Sequence, residues 1–177
     1  MKKIMKHGML LIGTWLCCVA GTALAAEDKS DLFRAQEFNV DLFGSGSIGQ
    51  STLDRLSGSR IRDNGRLGAG VGLSYFFSRN FGVGADAYSE DVNHSFVDSV
   101  SANFIARIPL GNSGFSPYGF AGGGRQFDPR ELWFGQAGAG MEFRFCRNAG
   151  VFVDGRYVFA ERAPNYGLFR LGMRLAF

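Results

Sequence analysis

Between Arg66 and Phe77 the apolar residues Leu67, Ala69, Val71, Leu73, Tyr75 and Phe77 alternate with Gly68, Gly70, Gly72 and Ser74. A period of two puts successive side chains on opposite faces of an extended chain, and a helix cannot satisfy it. The pattern returns from Trp133 to Phe145, where Ala137, Ala139, Met141, Phe143 and Phe145 alternate with Gln136, Gly138, Gly140, Glu142 and Arg144. It returns again at the end, where Phe169, Leu171, Met173, Leu175 and Phe177 alternate with Arg170, Gly172, Arg174 and Ala176. Eight such segments are expected, at about 37–45, 66–77, 81–90, 96–108, 117–127, 133–146, 151–160 and 166–177. Glycine is abundant, at 26 residues, and proline scarce, at 4. The expectation is an all-β chain.

Each segment is near the roughly ten residues that a tilted strand needs to cross a bilayer. One face carries large apolar and aromatic groups, and the other carries Gly, Ser, Asn and scattered charge. Eight closed strands enclose only enough space for side chains. The small and charged face suits that interior, and the apolar face suits hydrocarbon. The predicted fold is therefore an eight-stranded antiparallel up-and-down transmembrane β-barrel over 37–177. A soluble, lipocalin-like barrel with the opposite facing is the structural alternative.

The start of the chain reads as a cleaved signal peptide, residues 1–25. Lys2, Lys3 and Lys6 precede an apolar run from Met9 to Ala20, and Ala23-Leu24-Ala25 supplies small residues at the cleavage site. Cleavage falls after Ala25, or alternatively after Ala26. Residues 26–36 are then a short periplasmic N-terminal segment. Losing three lysines leaves sixteen charges of each sign, so the basicity belongs to the leader and no nucleic-acid partner is expected. Nearly all remaining cations are Arg, whose planar fork suits paired or buried charge. Cys146 is then the single cysteine, which excludes an internal disulfide and a cysteine metal site. No cofactor or metal is expected.

Two short turns suggest hairpins. Ser78-Arg79-Asn80 offers Asn80 for a left-handed position, and Asn148-Ala149-Gly150 offers Gly150 for one. A three-residue loop at 148–150 sets a register in which paired residue numbers sum to 298. Arg144 then faces Asp154, and Glu142 faces Arg156, two opposite-sign pairs in the interior. By alternation Asp41, Asp86, Arg107, Arg125, Arg170 and Arg174 also face inward, so the lumen is expected to be filled by charge. Tyr88, Phe96, Trp133, Phe159 and Tyr166 read as an outer aromatic girdle. The longest extracellular loop is expected at residues 46–65, with shorter ones near Glu90–Ser95, Asp128–Leu132 and Glu161–Asn165.

The last segment, Arg170-Leu171-Gly172-Met173-Arg174-Leu175-Ala176-Phe177, resembles the outer-membrane β-signal. Arg170, Gly172, Leu175 and Phe177 fill its polar, glycine, hydrophobic and aromatic places. The run from Ser116 to Gly124 resembles the start of the fifth strand in the outer-membrane protein A-type and opacity-type barrels. The resemblance implies insertion by the barrel assembly machinery and contact with outer-membrane lipids and lipopolysaccharide. It implies no single activity, because members include adhesins, envelope stabilisers, small pores and lipid A enzymes.

Sharper motifs fail on context. Gly44-Ser45-Gly46-Ser47-Ile48-Gly49 has dinucleotide-loop spacing without a βαβ unit to give it meaning. His94 is followed directly by Ser95, which is the wrong spacing for a lipid A deacylase, and nothing aligns Asp98 and Ser99 with it. The function expected is a non-enzymatic outer-membrane protein, acting in envelope structure or in surface contact through loop 46–65. A small solute pore is the alternative, and a lipid A-modifying enzyme ranks behind it.

Overall fold

A computed structural model describes residues 32–49, 52–53, 60–61, 66–89, 97–127, 131–161 and 165–177. The expected leader with Ala23 and Ala25, and most of the expected loop at 46–65, lie outside the described residues. So do His94, Phe96 and the tips of the shorter loops.

The strands are β1 (Glu37–Gly49), β2 (Thr52–Leu53), β3 (Arg60–Ile61), β4 (Arg66–Phe76), β5 (Phe81–Ser89), β6 (Ser99–Arg107), β7 (Phe115–Gln126), β8 (Leu132–Cys146), β9 (Ala149–Ala160) and β10 (Tyr166–Ala176). β2 and β3 pair only with each other, as a two-residue ribbon in the first long connection. The other eight close in the order β1-β10-β9-β8-β7-β6-β5-β4, every pair antiparallel. This is the up-and-down barrel that the alternation predicts. β1 runs four residues beyond its expected end at 45, because Gly46 to Gly49 continue the ladder against Phe169 to Tyr166. Beyond the ladder, Phe38 N donates to Phe177 O at 3.2 Å and Phe177 N to Phe38 O at 2.8 Å, which carries the closing seam to the barrel's edge.

The two faces differ as the pattern demands. Leu42, Leu67, Phe104, Trp133 and Leu171 stand on the outer wall, between half and three-quarters exposed. Asp41, Asp86, Arg107, Arg144 and Arg174 stand inside and are buried. In water, an apolar belt around the whole wall far exceeds the patch that a soluble monomer tolerates. In hydrocarbon it costs nothing, and closure leaves no strand edge with unmade hydrogen bonds.

Both predicted turns differ in detail. Among the described non-glycine residues only Gln36 has a positive φ, so Asn80 is not left-handed. Ser78 Oγ instead accepts from Asn80 N and Phe81 N, and Asn80 Nδ2 donates to Arg107 O at 3.0 Å. The β8–β9 connection is shorter than expected. Arg147 and Asn148 alone make the turn, and Gly150 lies in β9. The register therefore sums to 294 rather than 298, with Arg144 opposite Gly150 and Glu142 opposite Phe152. One irregularity and one side-chain bond accompany the tighter turn. An irregularity between Arg144 and Cys146 absorbs its twist, and Asn148 Nδ2 donates to Ala176 O at 2.7 Å.

Candidate functional site: the closed lumen

The register correction changes the ion pairs. Neither Arg144–Asp154 nor Glu142–Arg156 forms. A shift of four residues keeps the same side chains inside, but slides each to a new neighbour. Five carboxylates and five guanidiniums meet in the lumen through eight ion pairs of 2.6–3.2 Å.

One cluster occupies the end of the barrel that holds the 38–177 rung. Glu37 takes both Arg144, at 2.6 Å, and Arg107, at 2.9 Å. Arg144 Nε donates to Glu142 Oε1, and Arg174 Nη1 donates to Glu142 Oε2, each at 2.6 Å. Arg174 then grips Asp41 with Nε and Nη2, at 2.8 and 2.7 Å. Asp41 and Arg174 are direct cross-strand partners at the β1–β10 seam. Leu32 to Gln36 cover this end. Arg144 donates to Leu32 O, Arg107 donates to Arg34 O, and the Phe33 ring lies against both guanidiniums.

A second cluster sits deeper. Arg170 holds Asp154 bidentately, at 2.9 and 2.7 Å, and reaches Asp86 at 2.9 Å through its third nitrogen. Asp154 and Arg170 are also direct cross-strand partners. Arg156 donates to Asp86 and to Gln136, Gln136 donates to Asn103, and Asn103 donates back to Asp86. Tyr118 joins the clusters, donating to Asp154 at 2.8 Å while its ring lies 5.7 Å from the Arg174 guanidinium. Buried ions cost several kcal/mol each to desolvate, and that cost is met only when partners and hydrogen bonds are complete. Here the opposite charges balance across the two clusters.

The lumen is also more aromatic than expected. Phe43, Phe76, Tyr88, Tyr118, Phe120 and Phe152 form a buried cluster inside it. Each lies within 6 Å of a guanidinium carbon, the nearest being Phe76 at 3.7 Å from Arg107. Their ring faces supply the attraction for cations that carboxylates alone cannot supply on every side. Glycine makes the room. A Cβ on Gly140 would stand 2.8 Å from the Tyr118 ring. An enclosed cavity of about 20 Å³ remains among Asp41, Ser74, Asn103, Arg170 and Arg174. That is room for about one water, not for a hydrated ion's path.

Three placements differ from the sequence expectation. Arg125 is on the outer wall, because even-numbered residues of β7 (Ser116, Tyr118, Phe120) face the lumen. It pairs with Glu131 at 2.6 Å near the strand end. Tyr88 is fully buried inside, and Tyr166 packs against the internal cluster, so neither belongs to the outer girdle. Trp133 and Phe159 do stand outside. Sequence reasoning missed Glu37, Asn39, Asn103 and Gln136. For Glu37 and Asn39, parity with Asp41 was the available signal.

No protein-family model matches the chain, and no curated relative does. Solved structures match over nearly their full length. The N-terminal β-barrel domain of Pseudomonas aeruginosa OprF aligns with a TM-score of 0.60 at 15% identity, over 81% of this chain and 99% of that one. Neisserial surface protein A aligns at 0.58 and 14%, over 79% and 97%. The Yersinia pestis attachment invasion locus protein, Ail, aligns at 0.54 and 19%, over 81% and 99%. The fold is that of the eight-stranded transmembrane β-barrels of outer membranes. At these identities the likeness extends to the fold and no further.

Proposed function

We propose that this is a non-enzymatic outer-membrane protein whose barrel is a closed scaffold, contributing to envelope structure and to surface contact through its loops. The filled lumen carries the reading, because interlocked charges and rings occupy the space through which a solute would pass. A solved structure of Ail in complex with the heparin analogue sucrose octasulfate is that of a barrel of this fold holding a ligand, which supports the contact version.

The orientation follows from the same reading. Residues 1–25 are removed on export, and residues 26–36 lie in the periplasm, so the end sealed by Leu32 to Gln36 faces that side. Residues 46–65 and the shorter loops then project from the cell. Arg170, Gly172, Leu175 and Phe177 form the segment that the barrel assembly machinery reads. Lipopolysaccharide surrounds the upper wall.

Two measurements test it. In planar bilayers the purified protein is expected to give no conductance steps above leak, and regular steps would replace the scaffold by a pore. Replacing residues 50–65 with a Gly/Ser linker is expected to leave a heat-modifiable barrel but to lower surface adhesion or serum survival. Unchanged behaviour in both assays would remove the contact role.

A further inference from the structure

The outer wall is not uniformly bulky. Ala85, Ala102, Gly123 and Gly135 are successive cross-strand partners on β5, β6, β7 and β8, a row of four small residues at one level. The next row toward the loops reads Ala87, Val100, Arg125 and Trp133. Phe104 and Ala121 follow on the other side. The result is a groove of about 470 Å³, floored by Ala85, Ala102 and Gly123 and walled by Leu73, Val100 and Trp133. Its volume falls in the range of small-molecule sites, roughly 300–1,000 Å³.

A cation stands beside the groove: Arg125 is the cross-strand partner of two of its lining residues, Val100 and Trp133. Arg125 is one residue from the end of β7, on the outer wall, with its side chain 39% exposed. Its guanidinium carbon lies 5.7 Å from the Trp133 ring and 5.6 Å from the Phe127 ring. Two rings thus flank a cation one residue from the strand's end. Arg at this depth extends to the interface, where lipid phosphates lie. One guanidinium nitrogen bonds Glu131, and the fork has five donors in all, so it can hold a phosphate beside that carboxylate. An apolar slot beside an outward guanidinium complements one ligand chemistry: acyl chains next to an anionic head.

We infer that this groove binds a membrane lipid whose phosphate head carries net negative charge, with its acyl chains on the Ala85–Ala102–Gly123 floor and its phosphate on Arg125. The inference rests on the membrane reading above. Trp133 lines the groove and reports on it.

The test is fluorescence quenching in the full chain carrying Trp15→Phe, which leaves Trp133 as its single tryptophan. The protein is placed in phosphatidylcholine vesicles containing a minor fraction of lipid with brominated acyl chains. Brominated phosphatidylglycerol is compared with brominated phosphatidylcholine at equal fraction. A single basic side chain at an anionic surface contributes ~1 kcal/mol, which predicts about fivefold preference for the anionic lipid at the site. Arg125→Gln is expected to bring the preference to about one. Glu131→Gln is expected to raise it, because a competing carboxylate is gone. Ala102→Leu is expected to lower quenching by the anionic lipid toward the phosphatidylcholine level by filling the floor. Equal quenching by the two lipids in the parent, or a preference that survives Arg125→Gln, would overturn the inference while leaving the membrane barrel intact. Absence of quenching even in fully brominated phosphatidylcholine would take Trp133 out of hydrocarbon and sink the membrane reading itself.

Discussion

Glu37 grips Arg144 with both carboxylate oxygens: Oε2 accepts from Nη1 at 2.7 Å and Oε1 from Nη2 at 2.6 Å. The two residues are 107 apart in sequence, the first on β1 and the second on β8. Glu37 also accepts from Arg107 on β6. One carboxylate at the start of the first barrel strand therefore ties three strands together across the lumen, with both partners buried.

Removing that carboxylate should be expensive. Glu37→Ala leaves Arg107 without its ion-pair partner and Arg144 with Glu142 alone. Breaking one side of a buried pair costs about 3–5 kcal/mol. The expected outcome is a loss of that size in urea unfolding of the refolded barrel. The exposed pair Arg125–Glu131 sets the contrast, since such pairs contribute about 0.2–1 kcal/mol. Losses of equal size for Glu37→Ala and Glu131→Ala would show that the lumen pairs are as screened as surface ones.

The bidentate pair between Asp154 and Arg170 offers a cleaner measurement. Each has a further partner, Tyr118 for Asp154 and Asp86 for Arg170. A double-mutant cycle with Asp154→Ala and Arg170→Ala separates the pair from those partners. Coupling between contacting residues falls between about 0.5 and 3 kcal/mol, and the upper half of that range is expected here. Coupling near zero would mean that the lumen relaxes around either deletion and that the pair is incidental.

The fold was legible because alternation reports the two solvents directly. Each strand must show hydrocarbon one face and a narrow polar core the other, so parity alone separates Asp41 from Leu42 and Arg174 from Met173. The partners were less legible. A hairpin's register depends on one or two turn residues, and at Arg147-Asn148 the side chain of Asn148 bonds β10 instead of leaving the turn to Gly150. A slip of four residues is silent in the pattern. Arg125 misled for a related reason. Alternation groups Arg125 with the small residues Gly119, Ala121 and Gly123, but in β7 that face is the outer wall and the bulky Tyr118 and Phe120 turn inward. The ring-lined lumen was hidden because Phe43, Phe120 and Phe152 share their composition with the outer wall.

Glycine positions divide by what lies beyond the missing side chain. A Cβ at Gly70 would stand 2.6 Å from both the Phe43 ring and Tyr88 Cβ, inside the packed cluster. Gly70→Ala is expected to cost about 1–3 kcal/mol through overpacking. At Gly167 nothing lies within 4 Å, and the backbone φ is ordinary. Gly167→Ala is expected to be neutral or to stabilise by up to about 1 kcal/mol, because the unfolded chain loses freedom. Thermal midpoints by circular dichroism in one detergent would compare them. The reverse ranking would contradict the lumen packing described for Phe43 and Tyr88.

The proposed assembly signal can be separated from ordinary stability by choosing among its four residues. Arg170 and Gly172 also have work in the lumen: Arg170 bridges two aspartates, and a Cβ on Gly172 would stand 2.7 Å from Phe43 Cβ. Changing either one disturbs packing and recognition together. Phe177 is different. Its backbone makes both seam bonds to Phe38, while the residue lies on the outer face and is 63% exposed. Phe177→Ala keeps the backbone bonds and removes only a group that faces lipid. Stability of the refolded barrel is then expected to change by no more than about 0.5 kcal/mol. Yield of heat-modifiable protein in the outer membrane of living cells should fall severalfold, because the machinery would have lost its aromatic contact. Equal yields for parent and variant would remove Phe177 from the signal. A parallel loss of refolded stability would instead assign the side chain a structural role at the seam.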